Sequence, residues 1–178
     1  MKLTYLVFDN RLRPGVNLTD PILPHLKAMD LSIPIFFFLY GGIFSFLYYI
    51  IPRPQTFVPA VRAFLLLFAI RTAFIYLVPL APPIDLVPLR DPFVDNVIGF
   101  KSEVVNDLFF SGHVADLAFF TFCCKNRMIR NFLAVSVVAV AVMVLFQRVH
   151  YTADVLAAPV FSYFCYSVFV KRYMDIEK

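Results

Sequence analysis

The stretch RVHYTADVLAAPVF, residues 148–161, sets Arg148, His150 and Asp154 between two long apolar runs. Ionisable groups at such a place are costly to keep, so they are functional by default. His150 and Asp154 are four residues apart, the spacing of neighbours on one helix face. A carboxylate in that position can accept the imidazole N–H, fix the tautomer and raise the basicity of the other ring nitrogen. That suits His150 to act as a nucleophile or base. A second cluster, NDLFFSGHVADL at 106–117, brings Asp107, Ser111, Gly112 and His113 to the start of another apolar run. Small residues there let the backbone approach an anion, and free N–H groups at a helix start attract it. His113 beside a bound phosphate can serve as an acid. A third cluster, RTAFIYLVPLAPP at 71–83, carries Arg71 and Tyr76. Arg71 is suited to clamp an anion, and Arg148 is a second cation pointing to another face. Asp107 either orders its loop or helps bind substrate. Three duller readings compete: packing histidines, zinc ligation by the same His, His and Asp, and a structural ion pair between Arg71 and Asp116. All three clusters fall on one side of the chain's apolar runs, and a Ser-Gly-His turn suits an anion better than a metal.

The elements that must hold these residues are read from composition. The 178-residue chain is 61% hydrophobic, has 22 Phe and a mean hydropathy of +0.77. Soluble domains run nearer about 45–50% apolar. The chain is therefore predicted to be an all-α, integral membrane helix bundle. Runs of about 20 apolar residues mark spans, and five are expected, at 31–51, 60–80, 109–124, 131–149 and 152–170. The third is short and is expected to begin earlier, near Val104. Proline-dense linkers, IPRPQTFVP and PLAPPIDLVPLRDP, end the helices around them. Arg53 and Arg62, then Lys125, Arg127 and Arg130, mark two cation-rich linkers without acids, and the tail begins with Lys171 and Arg172; the positive-inside rule assigns all three to the cytoplasm. The segment 81–106 and the 149–152 junction then face outward, toward periplasm, lumen or cell exterior. Five spans also leave residues 1–30 outside, as an extracytoplasmic segment ahead of a membrane-embedded catalytic domain at 31–178. Exporting that segment unaided is unusual, so a further helix is expected upstream of Met1, with MKLTYLVF as the remnant of its outer end. The three cysteines, Cys123, Cys124 and Cys165, have no metal-ligand spacing and read as packing residues. The net charge of +4 forms no basic stripe, and nothing points to nucleic acid.

The motifs DLFFSGHVADL and RVHYTADVLAA resemble the sphingomyelin synthase branch of the type 2 phosphatidic acid phosphatase superfamily. That branch carries D-x-x-(F/Y)-S-G-H, met here by Asp107, Phe110, Ser111, Gly112 and His113. It also carries H-Y-T-x-D-V, met by His150, Tyr151, Thr152, Asp154 and Val155. Its earlier R-x-x-x-x-Y-x-x-x-L-x-x-P is met by Arg71, Tyr76, Leu80 and Pro83, and an L-P-D-type motif is echoed faintly by LTDPILPHL at 18–26. The resemblance implies a six-helix bundle with a His–His–Asp triad on the outer side and transfer through a phosphohistidine. His150 would be the nucleophile, Asp154 its orienter and His113 the general acid. Arg71, Tyr76, Asp107, Ser111, Gly112, Tyr151 and Arg148 would contact substrate. It implies no metal and no cofactor. The partners would be a phospholipid donor and a lipid alcohol acceptor, ceramide or diacylglycerol. The K-x6-R-P and S-R-x5-H-x3-D clamps of the superfamily's lipid phosphatases are absent, with Val144 six residues before His150. That tilts the expectation toward a lipid phosphotransferase. The alternatives are a lipid-phosphate phosphatase and a non-catalytic lipid-binding membrane protein. The compact chain suits a bacterial member, hence a multi-pass protein of the inner membrane.

Overall fold

The structure, a computed structural model, describes residues 15–93 and 109–176. Among them, the only extended pairing is an isolated bridge between Val16 and Leu80, and everything else regular is helical. The helices are α1 (Ser32–Ile50), α2 (Pro54–Leu77), α3 (Gly112–Cys123), α4 (Arg127–Phe146), α5 (Thr152–Phe169) and the short α6 (Lys171–Ile176), with a 3-10 turn at Leu23–His25 ahead of them. Four of these, α1, α2, α4 and α5, are long and apolar enough to cross a membrane, and α3 is a shorter apolar helix. Their exposed faces are apolar too: Ile33, Phe37, Phe44 and Tyr48 point outward from α1. The solvent such a surface suits is lipid, so the chain is a multi-pass bundle.

The helix ends follow local chemistry. Proline at the first position opens α2, six residues earlier than apolarity suggested, because its missing N–H is not needed there. Asn126 opens α4, its side chain accepting from the N–H of Met128 (3.0 Å) and Ile129 (3.1 Å). The cations Arg127 and Arg130 had hidden that turn inside an expected linker. The third helix does not reach back toward Val104. It begins at Gly112, after Ser111 in a non-helical conformation with ψ of 112°; Val104 itself lies outside the described residues.

α3 is the centre of the bundle. It packs on α5 and α4 most extensively, and also on α1 and α2. Seven of its residues are buried: Val114, Ala115, Leu117, Ala118, Phe119, Phe120 and Cys123. The bundle's two ends differ in charge. At one end the α3–α4 linker meets α1 and α6, the Lys125 N–H bonding the Tyr49 hydroxyl (3.1 Å) and Lys125 Nζ the Met174 carbonyl. Arg53 stacks over the Tyr49 ring at that same end. At the other end residues 15–31 form a strap across the α2–α3 loop and the α4–α5 junction. The Met29 N–H bonds the Phe146 carbonyl, and Val16 and Ala81 pair through the backbone. Buried Gln147 ties the strap and loop together. It donates to Ser32 Oγ (2.9 Å) and the Pro88 carbonyl (3.3 Å) and accepts from the Leu31 N–H (3.2 Å). Asp20, Asp30, Asp85, Asp91 and Arg90 all sit at this end, as the charge pattern required.

Candidate active site

The Ser-Gly-His turn lies where α2, α3 and α5 meet. Arg71 comes from α2, six residues before that helix ends, so α2 continues about 9 Å beyond it at 1.5 Å per residue. Its Nε donates to the Phe110 carbonyl at 3.2 Å. The guanidinium lies so close to Gly112 that a Cβ there would stand 3.0 Å from Cζ and Nε. Any larger residue there would push the arginine aside by a few tenths of an ångström. The first N–H groups of any helix lack intrahelical acceptors, and the Ser111 side chain does not cap α3. Ser111 Oγ is buried and finds no hydrogen-bond partner among the described residues. Arginine, helix start and hydroxyl together form a small electropositive niche. His113 borders it, within electrostatic reach of Arg71 and of His150. The Phe36 ring meets the His113 imidazole edge-on, centroids 5.6 Å apart, and fixes its plane.

The second half of the site comes from the α4–α5 junction. His150 and Asp154 do meet, though not as neighbours on one helix face. α5 starts at Thr152, so His150 precedes the helix, and Asp154 is its third residue. Asp154 reaches back as a capping carboxylate: its Oδ2 accepts the Tyr151 N–H at 3.0 Å and lies 3.8 Å from His150 Nδ1. At that distance the histidine contact is electrostatic, longer than a hydrogen bond. Asp154 is fully buried, and its Oδ1 has no hydrogen-bond partner among the described residues. His150 is also buried. Nδ1 faces the carboxylate, which leaves Nε2 as the other ring nitrogen. The Ser111 N–H bonds the Asp154 carbonyl at 3.3 Å and joins the two halves.

The remaining expected residues are placed unevenly. Tyr151 is buried, its hydroxyl donating to the Ala81 carbonyl at 3.0 Å, which ties the junction to the loop after α2. Tyr76 sits half-exposed in the last turn of α2. Arg148 turns away from the histidines. It has a φ of 55°, and its terminal nitrogens bond Leu26 O (2.7 Å), Ile84 O (3.1 Å) and Asp85 Oδ2 (3.2 Å). It is a tie between strap, loop and junction. Asp107 lies outside the described residues. Asp116 is within electrostatic reach of Arg71. Among the described residues, no three His, Cys, Asp or Glu side chains gather to hold a metal ion. Two neighbours were missed. Phe36 stands in the run IFFFLY, where nothing marks one ring from the next. Asp91, within electrostatic reach of His113, bonds the Tyr40 hydroxyl (2.7 Å) and the Phe93 N–H (2.9 Å); only its place in an outward loop hinted at it.

The two histidines lie at the strap end of the bundle, within electrostatic reach of each other. Residues 105–172 match the family model of the PAP2 superfamily C-terminal domain, a stretch that contains both histidine motifs. The fold is similar to that in the crystal structure of Aquifex aeolicus LpxE, with a TM-score of 0.60 at 16% identity over 95% of this chain and 94% of that one. No curated protein matches the chain. The family match is confined to residues 105–172, the structural likeness is one of fold, and neither bears out the sphingomyelin synthase branch.

Proposed function

We propose that the protein is a membrane-embedded lipid phosphatase that hydrolyses a phosphomonoester through a phosphohistidine at His150. The observation that carries this reading is the Arg71 guanidinium packed on Gly112 at the start of α3, within electrostatic reach of His113, which in turn is within reach of His150. It supplies from α2 the cation that the absent lysine and arginine motifs would have provided. The PAP2 match over residues 105–172 adds a superfamily named for phosphatases, to which the synthase branch also belongs.

In the first step His150 Nε2 attacks phosphorus. Asp154 stabilises the positive charge that grows on the ring, and His113 protonates the departing lipid alkoxide. In the second, His113 takes a proton from water, the hydroxide attacks the phosphohistidine, and phosphate leaves with His150 regenerated. Arg71 and the first N–H groups of α3 stabilise the equatorial oxygens in both transition states. Covalent catalysis lets the greasy alcohol depart before water arrives. A second reading, transfer of a phospho-headgroup to ceramide or diacylglycerol, is favoured by the H-Y-T-x-D-V match. The two differ only in what attacks the phosphohistidine.

Purified protein in mixed micelles with phosphatidic acid should release inorganic phosphate, and Arg71→Lys should lower kcat/KM because it loses the planar fork. Phosphate release unaffected by Arg71→Lys would remove the clamp from the mechanism. With phosphatidylcholine and either ceramide or a labelled diacylglycerol present instead, appearance of headgroup on that acceptor without free phosphate would replace hydrolysis by transfer.

A further inference from the structure

The helix that carries Asp154 is capped in part by that residue, whose carboxylate reaches back from the third position to the Tyr151 N–H. Tyr151 occupies the N-cap position with its hydroxyl directed to the Ala81 carbonyl, where Ser, Thr, Asp or Asn would ordinarily accept from the first turn. The missing acceptor comes from far away in sequence. Asp20, in the strap, accepts the Thr152 N–H on Oδ2 at 2.6 Å and the Thr152 hydroxyl on Oδ1 at 3.0 Å. The same Oδ1 takes the N–H groups of Ile22 (2.8 Å) and Leu23 (3.1 Å), which closes an Asx-type turn. Two carboxylates therefore hold the backbone just after His150: Asp154 takes the Tyr151 N–H and Asp20 the Thr152 N–H.

The strap around Asp20 is well anchored. Val16 pairs with Leu80, Leu23 is buried against Leu80 and Tyr151, and Arg148 holds the Leu26 carbonyl. From this we infer that Asp20 is a positioning residue, acting through Thr152 to fix the His150–Asp154 pair in its attacking geometry. The inference deepens the phosphatase reading and rests on it. Without Asp20, the first N–H of α5 loses its acceptor, the helix start can fray, and the 3.8 Å separation of Nδ1 and Oδ2 widens. Substrate binding at the Arg71 niche, built from α2 and α3, should change little.

The test is steady-state phosphate release from phosphatidic acid micelles by full-length wild type, Asp20→Ala, Asp20→Asn and Thr152→Val. Asp20→Ala should lower kcat by about tenfold or more with KM within about twofold, since a misplaced nucleophile is lost from the transition state and not from binding. Asp20→Asn keeps an acceptor oxygen and should restore most of kcat. Thr152→Val loses only the hydroxyl contact and should fall between. Imidazole nitrogen NMR of selectively labelled protein gives a substrate-free readout: the His150 resonances should shift or broaden in Asp20→Ala and return in Asp20→Asn. Should Asp20→Ala fail to fold, Thr152→Val and Asp20→Asn carry the comparison. Wild-type kcat and unchanged His150 signals in Asp20→Ala, or in Thr152→Val if that is the variant left, would overturn the inference. If wild type itself releases no phosphate, the phosphatase reading fails, and the NMR comparison alone decides whether Asp20 positions His150.

Discussion

Gly112 is where one atom separates the functional account from a purely structural one. A methyl group there would stand against Cζ and Nε of Arg71. The guanidinium is the far end of a flexible side chain, so the fold can absorb the clash by moving the arginine off the niche. Gly112→Ala should therefore leave the unfolding midpoint in detergent unchanged while kcat/KM for phosphatidic acid falls about tenfold, equivalent to about 1.4 kcal/mol of lost transition-state stabilisation. Parallel melting and steady-state assays read both quantities, and an unaffected kcat/KM would deny Arg71 its role. The two histidines and Asp154 were legible in the sequence because apolar runs isolate them. The route by which His150 and Asp154 meet was not: their spacing suggested a shared helix face, whereas capping brings the carboxylate back past the helix start. Arg71 was legible as a cation near the outer end of α2, but its contact with Gly112 depends on how α2 and α3 pack.

Helices were read from apolar length, and their existence and order follow from it. Their ends depend on short-range chemistry that hydropathy blurs, as at Asn126 and Pro54. Contacts between distant segments leave still less trace, and Asp20 with Thr152 is the clearest case, the two residues lying in different apolar-run contexts with nothing local to join them. Burial acts against charge on Asp20, but hydrogen bonds from Thr152, Leu23 and Ile22 outweigh it and hold the carboxyl below its ordinary value. A depressed folded value means that ionised Asp20 stabilises the protein fully above the usual aspartate pKa of about 3.9. The contribution fades as pH falls from there through the lower folded value. Acid unfolding followed by helical circular dichroism should thus show a smaller loss of stability between pH 5 and 3 (roughly the aspartate range) in Asp20→Asn than in wild type. Identical acid profiles would mean that the carboxylate contributes nothing. Packing between helices gives a second test. A Cβ on Gly42 of α1 would stand 2.3 Å from Leu117 Cδ2 and 3.3 Å from Leu133 Cδ2. Overpacking of this kind costs roughly 1–3 kcal/mol of unfolding free energy, so Gly42→Val should lower the denaturant midpoint by that cost divided by the m-value. An unchanged midpoint would mean that α1, α3 and α4 are not so closely packed.

For the molecule as a whole, the two ends of the bundle carry different charge and different tasks. We propose that the Lys125 end is cytoplasmic and the histidine end extracytoplasmic, on the positive-inside rule. Cys123, Cys124 and Cys165 are buried, so a membrane-impermeant thiol reagent should find little background. It should label Ile84→Cys in intact cells and Asn126→Cys only after permeabilisation; the reverse pattern would invert the orientation. On either orientation the central claim is chemical: the phosphoryl group is held by His150 between donor and water. The most direct measurement quenches a reaction with radiolabelled phosphatidic acid after milliseconds and maps the labelled peptide. An acid-labile, base-stable phosphoryl group on the peptide containing His150, absent from His150→Ala together with turnover, is the result predicted. Near-normal phosphate release by His150→Ala, or label on another residue, would contradict it.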